Sequence, residues 1–183
     1  AFDKGARILG LSYPGGPEIQ RVSEGGDSSF YSFPRPRVKK SKFDFSFSGL
    51  KTALLYKVRE MGKEDMKSNV SNIAASYQEA IVDTLLDRID RISLEENINQ
   101  ISIAGGVAAN KRFREKSAEL SSKNNMSIYF PALSLCTDNA AMIAMVGLEK
   151  FKLKKFSKLD APAKPRWQLD ESAAFLKGAG VKL

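Results

Sequence analysis

Apolar residues along this chain recur at helical spacing far more often than in the alternation of a strand. The longest such segment runs from about Val70 to Ile92. There Val70, Ile73, Ala74, Tyr77, Ile81, Leu85, Ile89 and Ile92 fall at three- and four-residue steps. That spacing predicts an amphipathic helix roughly 35 Å long, the spine of the chain. Upstream, FSGLKTALLYKVREMG places Leu50, Leu54, Val58 and Met61 on one face, with Gly62 as the stop. FDKGARILGL reads as a short helix ending near Gly10, and Pro17 opens another that stops at Gly25 and Gly26. Residues 27 to 43 read as loop. Pro34, Pro36 and the cations Arg35, Arg37, Lys39, Lys40 and Lys42 argue against a packed element there.

Strand signals are few. QISIAGGV predicts a strand with its glycines at the carboxyl end, followed by a helix whose inner face carries Phe113, Ser117 and Leu120. SIYFP predicts a second strand, and weaker candidates lie near Phe30 and Phe45. CTDNAAMIAMVGLEKF predicts a helix that is apolar or small almost all round until Glu149, and hence buried. The tail from Lys152 is basic, with KPRWQL as its one anchor-like feature. Strand, turn, helix, strand and buried helix make a helix-rich α/β arrangement. Two strands are too few for a sheet covered on both faces. With an opening at Ala1 rather than Met, the chain reads as part of a sheet domain whose other strands lie upstream.

Composition narrows the chemistry. At 183 residues the chain is one domain, or one domain with an appendage. No apolar run approaches the roughly 20 residues of a membrane span, and no signal peptide is visible. The single Cys136 excludes an internal disulfide and fits a reducing cytosol, so a cytoplasmic protein is expected. The formal charge of +8 fits a polyanionic partner such as nucleic acid, or a basic surface kept for solubility. Histidine is absent. That removes imidazole as base or metal ligand and leaves carboxylates, backbone groups or residues of another chain.

Gly105 and Gly106 lie at a strand's carboxyl end just before a helix, where open α/β sheets bind ligands. Ala108 and Ala109 keep the approach clear, and Asn110 brings an amide that donates and accepts. The turn lacks the Lys-Ser/Thr of a P-loop and the third glycine of the dinucleotide fingerprint. It suits a nucleotide, or simply a tight strand-to-helix turn. YPGGP is either loop punctuation or a flat surface for a base or ribose. Ser46 and Ser48 read as helix caps, and Asp3 does so by default. Asp138, beside Thr137 at the start of an apolar helix, is either a cap or one metal ligand.

In order and spacing, AFDKGARILGLSYPGGPEI, SFPRPR, DFSFSGLKTAL, AGGVAANKRFR, CTDNAAMIA and PRW resemble the motifs of the TsaD family. Its members are bacterial tRNA adenosine threonylcarbamoyltransferases, formerly described as glycoproteases. The resemblance covers residues 1–169 and leaves 170–183 as a tail. It implies the second lobe of an actin-like ATPase fold, with an incomplete sheet. The first lobe, with its His-x-x-x-His metal motif, and the opening strands of the second have no counterpart here. Residue by residue, Asp3, Gly16 and Asn110 match contacts to the threonylcarbamoyl-AMP substrate, and Gly105 with Gly106 the glycine pair at its adenosine. Asp138 matches the aspartate ligand of one divalent metal ion, iron or zinc. Gly5 departs from the family, which often has Thr or Val there.

The implied reaction moves the threonylcarbamoyl group to N6 of the adenosine following a tRNA anticodon. TsaB-like and TsaE-like partner proteins are implied, no membrane is, and the isolated piece is expected to be inactive. Two other readings compete: a sugar- or acid-kinase lobe of the same fold, and a non-enzymatic basic module binding RNA or protein. CTDNAAM and DFSFSGLKT speak against the first. The second lacks a motif that would organise its aromatics for base stacking.

Overall fold

Ten consecutive residues, Ile73 to Val82, are buried on one helix, and most of the chain is arranged to bury them. The computed structural model describes residues 1–38, 41–163 and 165, so the anchor-like Trp167 lies outside the described residues. The chain divides into two compact units, Ala1–Asn139 and Ala140–Leu183.

The first unit opens with α1 (Phe2–Ile8) and α2 (Gly15–Ser23). The long α3 (Ser48–Glu96) follows, broken at Gly62, whose φ of 75° leaves the helical region. Gly62 is thus the stop its sequence context predicts, but the second segment resumes at once rather than near Val70. The periodicity predicts an amphipathic helix with one apolar face. Instead α1 and α2 pack on one side of α3 and Phe113, from α4 (Lys111–Asn124), against Val82 and Leu86 on another. Ser76, Gln78, Glu79, Thr84 and Arg88 are therefore buried with the apolar stripe.

The main core joins Phe2, Ile19, Phe33, Leu50, Leu54 and Tyr77. Small residues set its spacing. A Cβ on Gly5 would stand 2.4 Å from the Tyr77 ring, and one on Gly15 would stand 2.5 Å from the Asp3 Cα. Asp3 does not cap its own helix. Its Oδ1 accepts the Gly15 N–H at 2.9 Å, so it satisfies the first turn of α2.

Residues 27–38 and 41–47 form a strap that advances along α3. The Asn72 Oδ1 accepts the Asp27 N–H at 2.9 Å, and the Ser76 hydroxyl accepts the Tyr31 N–H at 3.1 Å. Arg35 then pairs with Asp83, Arg37 with Asp87 and Lys42 with Glu95. The strand candidates near Phe30 and Phe45 come to one isolated antiparallel bridge, Arg37 with Phe45. No side chain caps α3 after Phe47, so Ser46 and Ser48 are not its caps.

Two short parallel strands, β1 (Gln100–Ser102) and β2 (Ser127–Tyr129), pair Ile101 with Ile128, and α4 connects them as the periodicity predicts. The second unit carries α5 (Ala140–Lys152). Expected to be buried, it is exposed along its length, with Ile143 at 69% and Phe151 at 67%. Apolarity all round states what cover a helix needs and does not supply that cover. Among the described residues no helix is long and apolar enough to cross a membrane.

The adjacent glycines of α2 give the packing a test. At Gly15 an added methyl meets backbone, whereas at Gly16 nothing lies within 4 Å. Gly15→Ala is expected to cost about 1–3 kcal/mol of stability, and Gly16→Ala less than about 0.5 kcal/mol. Denaturant unfolding of both variants measures the contrast, and equal losses would contradict it.

Candidate nucleotide site

The glycine turn begins where strand pairing ends. After β1 the Ile103 N–H still bonds the Tyr129 carbonyl at 2.9 Å. Gly105 then takes φ 91°, a conformation that L side chains rarely adopt. Gly106–Ala109 make one 3-10 turn, and Asn110 opens α4. No protein atom lies within 4 Å of where a side chain on Gly105 or Gly106 would begin. The turn is therefore open on its outer side, while Ala108 beneath it is fully buried.

Asn110 is buried and both ends of its amide are engaged. Its Oδ1 accepts the Phe113 N–H at 2.9 Å, capping α4, and its Nδ2 donates to the Gln78 Oε1 at 2.8 Å. A second acceptor reaches the same helix start from α2, where the Gln20 Oε1 takes the Lys111 N–H at 2.8 Å. The amino end of α4 is thus fixed from two other helices directly after the glycine turn.

Asp3 and Gly16 belong to the α1–α2 corner. There the Tyr77 hydroxyl donates to the Ala1 carbonyl at 3.1 Å, and its ring lies against Gly5. Burial pushes the Tyr77 phenol up to about 12, so it stays a neutral donor near neutrality. Tyr77 holds α1 while its neighbour Gln78 holds Asn110. Adjacent residues of α3 therefore hold the start of α1, beside Asp3, and Asn110, which follows the glycine turn. Asp138 is exposed. Among the described residues no group of three His, Cys, Asp or Glu side chains is placed to hold a metal ion.

One residue further, Glu79 receives two bonds from Arg112, at 2.8 and 2.9 Å, and one from Lys116 at 2.6 Å. Lys116 also reaches Asp83, which the strap's Arg35 pairs from the other side. Burial pushes the Glu79 carboxyl up, but the bonds from Arg112 and Lys116 outweigh it and hold the group at about 2. Those same carboxylates raise Lys116 despite its own burial. Neither Gln78, Gln20 nor Glu79 stands out by residue pattern. Their one signal is polar residues interrupting an apolar stripe, as in the run ASYQEA.

Comparison with known proteins adds a second line. Residues 1–145 match the family model TsaD, tRNA N6-adenosine threonylcarbamoyltransferase. A Pelagibacter ubique protein of that name is 50% identical over all of this chain and 52% of its own length. One from Thermosipho africanus is 50% identical over 83% of this chain and 46% of its own length. One from Thermotoga neapolitana is 47% identical over 90% and 49%. The chain thus spans about half the length of the curated relatives it matches.

Glu79 makes the network sensitive to acid. With its pKa lowered from 4.5 to about 2, its charge stabilises the fold fully above about pH 4.5, and that stabilisation fades as pH falls toward 2. Glu79→Gln should melt lower than wild type at pH 7, and the gap should close as pH falls through that window. A gap unchanged from pH 7 to about 3 would assign the role of Glu79 to shape rather than charge.

Proposed function

The chain belongs to the TsaD family, and on that footing we propose that it forms the nucleotide-holding second lobe of an actin-like tRNA threonylcarbamoyltransferase. The carrying observation is the open glycine turn beside a helix start fixed from two directions. Gly105 and Gly106 let an adenosine approach the backbone, as no side chain there would permit. Asp3 and Gly16 contact the adenylate from the α1–α2 corner, with Oδ2 of Asp3 as the oxygen not bound to Gly15. Asn110 joins them through the helix end it caps.

In the proposed reaction, N6 of a tRNA adenosine attacks the carbamoyl carbon of threonylcarbamoyl-AMP. The N–C bond forms, the bond from that carbon to the phosphate oxygen breaks, and AMP leaves with the electron pair while N6 gives up a proton. This chain's contribution is to bind and orient the adenylate, so that the leaving phosphate is fixed before attack. Among the described residues no metal site is completed, since Asp138 offers a single carboxylate. We assign it as one ligand of a divalent ion whose other donors lie outside this chain. The intact protein is proposed to act on tRNA in the cytoplasm with TsaB-like and TsaE-like partners.

Gly106→Val tests the turn. Because no protein atom crowds Gly106, the variant should fold and the added branch should meet only the ligand. Adenylate affinity of the intact protein, measured by calorimetry, should fall at least about tenfold, or about 1.4 kcal/mol. Lys123→Ala, on the exposed end of α4, should leave it unchanged. Unaltered binding in a folded Gly106→Val protein would remove the turn from the site.

Asp138→Asn separates charge from fold. The intact variant should melt near wild type yet lose most of its bound metal by elemental analysis, because an amide is a poor ligand for a divalent cation. Full metal content would return Asp138 to a surface role.

A further inference from the structure

Beyond Ile103 the two strands part. Among the described residues no backbone hydrogen bond joins the glycine turn to the segment after β2, residues 130–138. One side chain bridges them. Arg114, one turn into α4, donates from Nε to the Ala108 carbonyl at 2.7 Å and from Nη2 to the Pro131 carbonyl at 2.8 Å. Its Nη2 also lies 3.4 Å from the Cys136 Sγ, and the guanidinium sits over the Phe130 ring at 4.8 Å. Phe130 is itself held edge-on by Phe113, at 5.9 Å.

We propose that Arg114 is a positioning residue: it fixes the glycine turn and the Cys136–Asp138 segment at one separation, so that groups bound at the two are presented together. This deepens the transferase reading and rests on it. The residue type matters. A planar guanidinium reaches two carbonyls in different directions while lying flat on an aromatic ring, which a lysine ammonium does not reproduce. Its partners are two chain segments rather than a substrate, so the role differs from binding. Cys136 reports on the tie, because it is 2% exposed and is held by the same guanidinium.

The test compares Arg114→Lys with wild type and with Lys123→Ala in the intact protein. Peptide-resolved mass spectrometry follows alkylation of Cys136 by iodoacetamide, beside a melting curve and steady-state kinetics with threonylcarbamoyl-AMP and tRNA. Arg114→Lys should melt within a few degrees of wild type yet alkylate Cys136 on the order of tenfold faster, as the segment opens locally. Its kcat should fall about tenfold while the KM for tRNA stays within about twofold, the signature of lost alignment rather than lost docking. Wild-type labelling and wild-type kcat in a folded variant would overturn the proposal. So would a kcat deficit that disappears at a temperature where the variant is as fully folded as wild type. Failure of the transferase reading looks different: wild type itself would modify no tRNA, while the labelling contrast would still show whether Arg114 ties the two segments.

Discussion

A helix packed on more than one side can keep buried polar side chains only if each one finds a partner, and α3 from Ile73 to Arg88 is built on that requirement. Ser76 bonds the strap, Tyr77 bonds α1 and Gln78 bonds the cap of α4. Glu79 takes Arg112 and Lys116, and Arg88 donates to the Asp44 carbonyl. Among the described residues no buried side-chain nitrogen or oxygen is left without a partner. Each unmade bond would cost about 1–3 kcal/mol, and a one-residue slip turns a helix by about 100°, so a shifted register would break several at once. Apolar packing holds these elements together, and the polar contacts decide which turn of α3 each one meets. The candidate site inherits its geometry from that registration.

That division also explains what the sequence disclosed. Periodicity located α3, α4 and both strands, because burying one face of an element imposes a repeat that residue type records. The glycine turn was legible as local grammar, a strand end just before a helix, whereas the capping role of Asn110 was not. Gln78, Gln20 and Arg114 were not, since their partners lie 32, 91, and 6 and 17 residues away and no repeat links them. The buried α5 failed for a related reason. A pattern of apolar residues describes one surface, and burial is a property of two.

Charge behaves in the same way. From sequence the basic run from Arg35 to Lys42 reads as loop, and it contributes to the net charge of +8 that fits a polyanionic partner. In the structure Arg35, Arg37 and Lys42 each face a carboxylate of α3, at Asp83, Asp87 and Glu95. Exposed pairs of this kind contribute little stability one by one, but each partly offsets the charge of its own cation. Lys4, Arg7 and Lys51 carry no ion pair among the described residues, and Lys4 and Lys51 both line one cavity at the start of α3. The reading of the chain as a free-standing RNA module drew on the total charge, part of which is thus offset within the fold.

The two glycine pairs divide between fold and open space. In each pair one glycine answers to the fold. Gly15 leaves no room for a methyl against the backbone of α1, and Gly105 holds a φ that side chains disfavour. The other member does neither. Gly16 and Gly106 have ordinary backbone angles and empty space where a Cβ would stand, so the packing described here gives no reason for glycine. In a helix's first turn alanine is the more stabilising residue, which makes such a glycine a local loss. Gly49, in the first turn of α3, shares the property, and Gly147, within α5, shares it with no explanation in the structure. At Gly16 and Gly106 the space stays clear beside helix ends that other elements fix, through Asp3 at Gly15 and Gln78 at Asn110. A group that must come within contact distance of backbone N–H donors needs that clearance, and an adenylate is such a group.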